Sequence, residues 1–240
     1  NWSVRNTGIN ELSIDAFGIM DDDIFVSSAK GGVFKSTDNG QSWIDINPDG
    51  ITALRYIYVM ETMLWLSYSS DPTYAFTSGD KGETWNVIMA PSENGFQSVV
   101  EHNQYLFVTT NAEGGGMSRS SDYGQTWENI SINNGAVAPK ALVSFGGAIY
   151  VGDHNTGQIW RSIDNGQTWT ATGATGFPWG AKVTGNDEYV FISGDAAYSG
   201  IFRSNNNGES FTFLEDKGFI EVYANFILHK WFDPVTEKWV

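Results

Sequence analysis

Residues 36–43 read Ser36-Thr37-Asp38-Asn39-Gly40-Gln41-Ser42-Trp43, and the octapeptide returns as SGDKGETW from Ser78, SSDYGQTW from Ser120, SIDNGQTW from Ser162 and SNNNGESF from Ser204. Each copy begins 42 residues after the one before. A period of this length marks a repeat architecture, because so short a unit does not bury its apolar face alone and must stack on neighbours. A motif needed five times suits the building of such units better than a single chemical step.

Around each copy the order of parts is constant. In the second repeat residues 53–60 predict a strand A, 64–68 a strand B, 74–78 a strand C and 85–89 a strand D, from their apolar and polar alternation. Further B strands are predicted at 105–108, 149–151 and 189–192. Gly, Asn, Asp and Ser fill the gaps, as hairpin turns require. No stretch has a helical period. Four antiparallel strands recurring in this way describe the blade of an all-β propeller.

The chain ends decide the blade number. Residues 2–6 align, through Trp2, with Trp43, Trp85, Trp127, Trp169 and Phe211 as an extra D strand, and residues 221–228 supply an extra A strand. Residues 229–232 and 238–240 then read as short B and C strands. The expectation is one domain over residues 1–240, a six-bladed ring closed by both termini, which hides strand edges that would otherwise pair with other chains. Five blades with a terminal flap is the alternative, and a piece of a larger ring is the third.

Composition narrows the partners. With 13 Lys and Arg against 28 Asp and Glu, the net charge of -15 disfavours nucleic acid and anionic membrane surfaces, which call for clustered basic residues. The content of 41% hydrophobic and 15% aromatic residues supplies a core and argues against disorder. No cysteine is present, so disulfides and thiolate-held metals are excluded. No run approaches the roughly 18 apolar residues of a membrane span. The sequence opens at Asn1 without a signal segment; an exported bacterial protein whose leader has been removed is the expected context.

The octapeptide resembles the Asp-box, or BNR, motif (Ser-x-Asp-x-Gly-x-Thr-Trp) of sialidases, xyloglucanase-type hydrolases, sortilin-like receptors and photosystem assembly factors. The resemblance implies that the box is the C-to-D hairpin on the outer part of each blade. On that placement Asp38, Asp80, Asp122 and Asp164 accept backbone N–H bonds across their own turns, and the following aromatic packs between blades. The last copy has Asn206 for Asp and Phe211 for Trp; an amide still offers an acceptor, with less charge assistance.

Arg119, Arg161 and Arg203 recur at the same period, with Lys35 in register. Sialidases hold a carboxylate with three arginines. Here each arginine precedes the box serine, which assigns it to an outer strand and to neighbouring acids, and no Arg-Ile-Pro sequence occurs.

In a propeller the D-to-A and B-to-C connections share the face opposite the boxes, and function is sought there. The D-to-A connections are residues 6–11, 48–52, 91–97, 131–139, 172–180 and 216–219, and the B-to-C connections 29–32, 69–73, 111–116, 153–158 and 195–200. Phe177, Trp179 and Tyr198 place aromatic rings on these loops, suited to stacking sugars or apolar side chains or to packing loop on loop. Asp71, Glu93, Glu113, Asp153 and Asp195 fall on the same face, with His154. A glycosidase needs two carboxyls about 5–9.5 Å apart, one with a raised pKa; solvated loop acids are the alternative. The run Asp21-Asp22-Asp23 lies in a short turn without spaced calcium ligands, and His102 and His229 have no partner at metal-ligand spacing. No metal or cofactor is expected.

The reading that follows is a secreted, non-catalytic propeller that binds a glycan or a protein, alone or as a module of a larger surface protein. The alternative is a glycoside hydrolase, xyloglucanase-like or sialidase-like. Xyloglucanase-type enzymes set their acids across a cleft between two propellers, and one ring of this length lacks the second wall. The photosystem assembly factors carry a basic patch that an acidic chain does not offer. Propellers host many activities, so fold alone does not choose.

Overall fold

A computed structural model describes residues 7–9, 14–28, 32–48, 51, 54–60, 62–68, 73–110, 116–135, 137–174, 182–185, 188–193, 201–214, 232–233 and 238–239. These residues form five antiparallel four-stranded sheets and one short hairpin. The first sheet runs β1 (Ala16–Met20), β2 (Asp23–Ser28), β3 (Gly32–Ser36), β4 (Ile44–Asp45), and the second β5 (Leu54–Val59), β6 (Leu64–Tyr68), β7 (Tyr74–Ser78), β8 (Asn86–Met89). The third comprises β9 (Phe96–His102), β10 (Tyr105–Thr110), β11 (Gly116–Ser120) and β12 (Glu128–Ile130). The fourth is β13 (Pro139–Phe145), β14 (Ala148–Asp153), β15 (Ile159–Ser162) and β16 (Thr170–Ala171); the fifth is β17 (Lys182–Gly185), β18 (Val190–Ser193), β19 (Ile201–Ser204) and β20 (Thr212–Leu214). The hairpin pairs β21 (Phe232–Asp233) with β22 (Lys238–Trp239).

The predicted B and C strands of the second repeat coincide with β6 and β7. The predicted extra strands at residues 2–6 and 221–228 lie outside the described residues.

The chain divides into two compact units, Asn1–Glu113 with Ser118–Asn129, and Gly114–Met117 with Ile130–Val240. In the first unit, Met20, Phe25 and Val33 of the first sheet meet Ile57, Leu64, Leu66 and Phe76 of the second. The other face of the second sheet, through Trp65, Ala75 and Ile88, meets Phe96, Val99, Leu106 and Val108 of the third. Leu64-Trp65-Leu66 is an unbroken apolar run because both faces of its sheet are covered. Each such side chain contributes roughly 1.5–3 kcal/mol on burial. In the second unit, Ala148, Tyr150 and Ile159 of the fourth sheet pack on Val190 and Ile192 of the fifth.

The box is the turn from the third strand to the fourth in each sheet. Ser36 Oγ accepts from Gly40 N–H at 2.8 Å and donates to Asp38 Oδ1 at 2.8 Å. Asp38 in turn accepts the Ser42 N–H at 2.8 Å and its hydroxyl at 2.6 Å. Asp80, Asp122 and Asp164 repeat this with Thr84, Thr126 and Thr168. Asn206 keeps the turn by accepting the Ser210 N–H at 3.1 Å, but its Nδ2 donates to Ser210 Oγ at 2.9 Å, the reverse of the aspartate arrangement. The two central residues have positive φ, +58° at Asn39 and +78° at Gly40, the signature of a type I′ hairpin turn.

The indoles tie neighbouring sheets. Trp85 Nε1 donates to Ile46 O at 2.8 Å and Trp127 Nε1 to Met89 O at 3.0 Å, each capping a carbonyl at the outer edge of the preceding sheet. Trp169 instead donates to Gly166 O in its own box at 3.1 Å.

Candidate functional site

The box aspartates are held ionised by their own turns. At Asp38 the Ser42 hydroxyl is the largest cause and at Asp122 the Thr126 hydroxyl, and each carboxyl falls to about 2. At Asp80 burial pushes upward but is outweighed by bonds from Thr84 and Ser78, again reaching about 2. Burial also opposes the shift at Asp164, whose carboxyl is still lowered, by Thr168 and Ser162. These groups are committed to hairpins and lack the raised pKa that a general acid needs.

Arg119, Arg203 and Lys35 are taken up inside their own sheets. Arg119 pairs with Glu128 at 2.8 Å and lies over the Tyr105 ring, 5.4 Å from its centroid. Arg203 lies 4.9 Å from the centroid of Tyr189. Arg161 stands opposite Tyr150, whose hydroxyl donates to Asn207 O in the fifth box at 2.9 Å. In the first unit Lys81 meets Asp21 at 2.8 Å and Asp23 at 3.0 Å, with Lys35 3.7 Å from Asp23. The acidic run thus holds a lysine from the next box. Among the described residues no group of three or more His, Cys, Asp or Glu is arranged to hold a metal ion. His102 is buried at the end of β9, its Nε2 3.1 Å from Asn103 Nδ2, and burial lowers its pKa.

The best-defined connection site is in the second unit, where the loop after β14 meets the segment before β13. Asp153 is 2% exposed. Its Oδ1 accepts the N–H of Ala138 at 3.0 Å and of Asn155 at 3.1 Å, and its Oδ2 accepts the Thr156 hydroxyl at 2.5 Å. The backbone adds Gly157 N–H to Asp153 O and His154 N–H to Ala138 O, both at 2.8 Å. Gln158 reaches onward, its Nε2 donating to Ala174 O at 3.0 Å. One carboxylate therefore staples a B-to-C loop to a D-to-A connection, and the two classes of connection predicted to share a face meet here.

The staple changes the expected role of Asp153. A buried carboxylate with three donors positions its neighbours, and the residue placed at the loop junction is the half-buried His154. The residues that complete the staple, Ala138 and Thr156, were not among the sequence candidates; the Asp153-x-x-Thr156 spacing of a side-chain-closed turn is the signal that points to them. Beside them, Asn133, Asn134 and Gly135 form an exposed turn with positive φ throughout. Glu93 is exposed on a turn of the first unit. Asp71, Glu113, Phe177, Trp179, Asp195 and Tyr198, with His229, lie outside the described residues.

Solved structures that share this fold include two of YCF48. YCF48 from Cyanidioschyzon merolae is 13% identical, with a TM-score of 0.57 over 83% of this chain and 70% of that one. A structure of YCF48 bound to D1 peptide is also 13% identical, with a TM-score of 0.51 over 83% of this chain and 80% of that one. No curated protein matches in sequence. At such identity the likeness is one of fold. The DUF6242 beta propeller domain matches residues 86–226, more than half of the sequence and three of its boxes. The repeated four-stranded sheets are those of a propeller, and the chain belongs to the DUF6242 beta propeller domain family.

Proposed function

We propose that this protein is a non-catalytic interaction module that holds a segment of another protein on its connection loops, with a glycan as the alternative ligand. The observation that carries this is the Asp153 staple, which orders the loop of His154 before any ligand arrives and so lowers the entropic cost of binding. A protein ligand is favoured because a structure of the same fold is bound to a peptide. His154 contacts the ligand and Asp153 positions it; Phe177, Trp179 and Tyr198 supply stacking surface; Asp71, Glu93, Glu113 and Asp195 supply acceptors for basic or hydroxyl groups. The acidic net charge argues against a nucleic acid partner, and no helix of the described residues is long and apolar enough to cross a membrane.

The same proposal extends to architecture and location. The sheets are blades of a single six-bladed ring over residues 1–240, closed by both ends of the chain and working outside the cell, alone or within a larger surface protein. Exposed Phe17 and Ile19 on the first sheet support it, since they offer an apolar face for a further blade.

Peptide and glycan arrays probed with the wild type, His154→Ala and Trp179→Ala, beside a glycoside hydrolysis screen, test the proposal. Peptide binding weakened by both substitutions is the expected result. Turnover of a defined glycan that is lost on changing one loop carboxylate would replace it with the hydrolase.

A further inference from the structure

The chain contains five Asn-Gly pairs, beginning at Asn39, Asn94, Asn134, Asn165 and Asn207. Such a pair is prone to lose ammonia through its own backbone, because the glycine nitrogen attacks the side-chain amide carbon and no Cβ stands in the way. Nothing in the pairs themselves ranks them.

The fold ranks them. Three of the pairs are box turns, and there the glycine N–H donates to a buried serine hydroxyl: Gly40 to Ser36 at 2.8 Å, Gly166 to Ser162 at 2.9 Å and Gly208 to Ser204 at 2.8 Å. Freeing that nitrogen leaves both groups unpaired inside the protein, which opposes the reaction. Gly95 is buried as well, with its N–H on Ser92 O at 3.1 Å. Gly135 is the exception among the five, exposed together with Asn133 and Asn134.

The turn at Gly135 also has little to hold it closed. Asn133 and Asn134 have positive φ, +49° and +54°, a region that is unfavourable for residues with a Cβ. The Gly135 N–H is on Ile132 O at 3.1 Å, a bond that water replaces when the exposed turn opens. A Cβ at Gly135 would meet nothing nearer than Ser131 Oγ at 3.9 Å, so the backbone has room to turn. Attack requires rotation about ψ of Asn134, now 34°, to bring the Gly135 nitrogen onto Cγ.

We propose that Asn134-Gly135 is a site of spontaneous covalent modification. Hydroxide takes the Gly135 N–H proton, the nitrogen bonds to Asn134 Cγ, and the Cγ–Nδ2 bond breaks with release of ammonia. Water then opens the cyclic imide at either carbonyl, leaving aspartate or isoaspartate at position 134. The sum is hydrolysis of an amide, with no oxidant or reductant. Both products add a negative charge to the connection at residues 131–139. Isoaspartate also lengthens its backbone by a methylene, close before the Ala138 N–H that Asp153 holds. The modification does not depend on the role given to His154.

Incubating the full chain in mildly alkaline buffer at body temperature, followed by digestion and tandem mass spectrometry, measures amide loss at each of the five asparagines. Asn134 is expected to convert about tenfold faster than Asn39, Asn94, Asn165 or Asn207, or faster still, and in urea the five rates should converge. Asn134→Gln should remove the acidic species that accumulates first in ion-exchange chromatography. A folded chain in which another of the five converts as fast as Asn134 overturns the proposal. So does a ranking that persists unchanged in urea, or persistence of the acidic species in Asn134→Gln.

Discussion

Replacing Gly124 by alanine separates the two reasons for a glycine in the box. Its φ is +89°, a region that costs an L-residue about 1–2 kcal/mol. A Cβ there would also sit 2.8 Å from Ile88 Cδ1 and 3.3 Å from Trp127 Cζ2, against the core between the second and third sheets. Overpacking a core costs about 1–3 kcal/mol, and because Cδ1 ends a rotatable chain the lower end applies. Gly124→Ala should therefore cost ~2–3 kcal/mol. Gly40 has a similar φ, +78°, but its Cβ would meet only Trp43 Cζ2 at 3.6 Å, so Gly40→Ala should cost about 1–2 kcal/mol. Urea unfolding followed by tryptophan fluorescence and circular dichroism measures both. Adding Ile88→Val to Gly124→Ala removes the clashing methyl and should show a coupling of roughly 1 kcal/mol, leaving the backbone cost. Equal losses for the two glycines, with no coupling to Ile88, would refute packing between sheets as a reason for the box glycine.

Three further outcomes follow from local geometry. Tyr123 has φ +57° where the first, fourth and fifth boxes carry Asn39, Asn165 and Asn207, so Tyr123→Asn should stabilise the fold by about 0.5–1 kcal/mol, read as a higher urea midpoint. Asp153→Ala should cost about 1–3 kcal/mol, since buried Ala138 N–H loses its acceptor, and hydrogen exchange should speed up at the Ala138 and Asn155 amides while the box amides stay protected. Stability should fall with acid in two windows. Burial depresses His102 below its ordinary 6.5, so its contribution declines as pH falls from 6.5, and His102→Gln should remove that limb; Asp38, Asp80 and Asp122, depressed from 3.8 to about 2, contribute fully above 3.8 and lose that contribution as pH falls through 2. Urea midpoints measured from pH 7 to pH 2 for wild type and variant check both.

Much of the blade was legible from residues close in sequence. Strands at 64–68 and 74–78 match prediction because their turns and apolar cores recur at one spacing. The D strand begins at Asn86 rather than at Trp85, because Trp85 closes the turn and sends its indole to Ile46. The candidate site was less legible. Asp153 reads from sequence as one solvated loop acid among several, and its burial depends on Ala138, fifteen residues earlier. The Asp21-Asp22-Asp23 run reads as an exposed turn, yet its partner Lys81 belongs to the next repeat.

The sequence by itself determined the period, the four strands of each unit and the box turn, because these rest on hydrogen bonds between residues two to four apart and on side-chain alternation within single strands. Only the tertiary structure decided which carboxylates are free to meet a ligand. It spends Asp21 and Asp23 on Lys81, Glu128 on Arg119 and Asp153 on the backbone of another loop. Those outcomes depend on which strands and loops come together in space, and a pattern that repeats along the chain carries no information about the places where its neighbours differ.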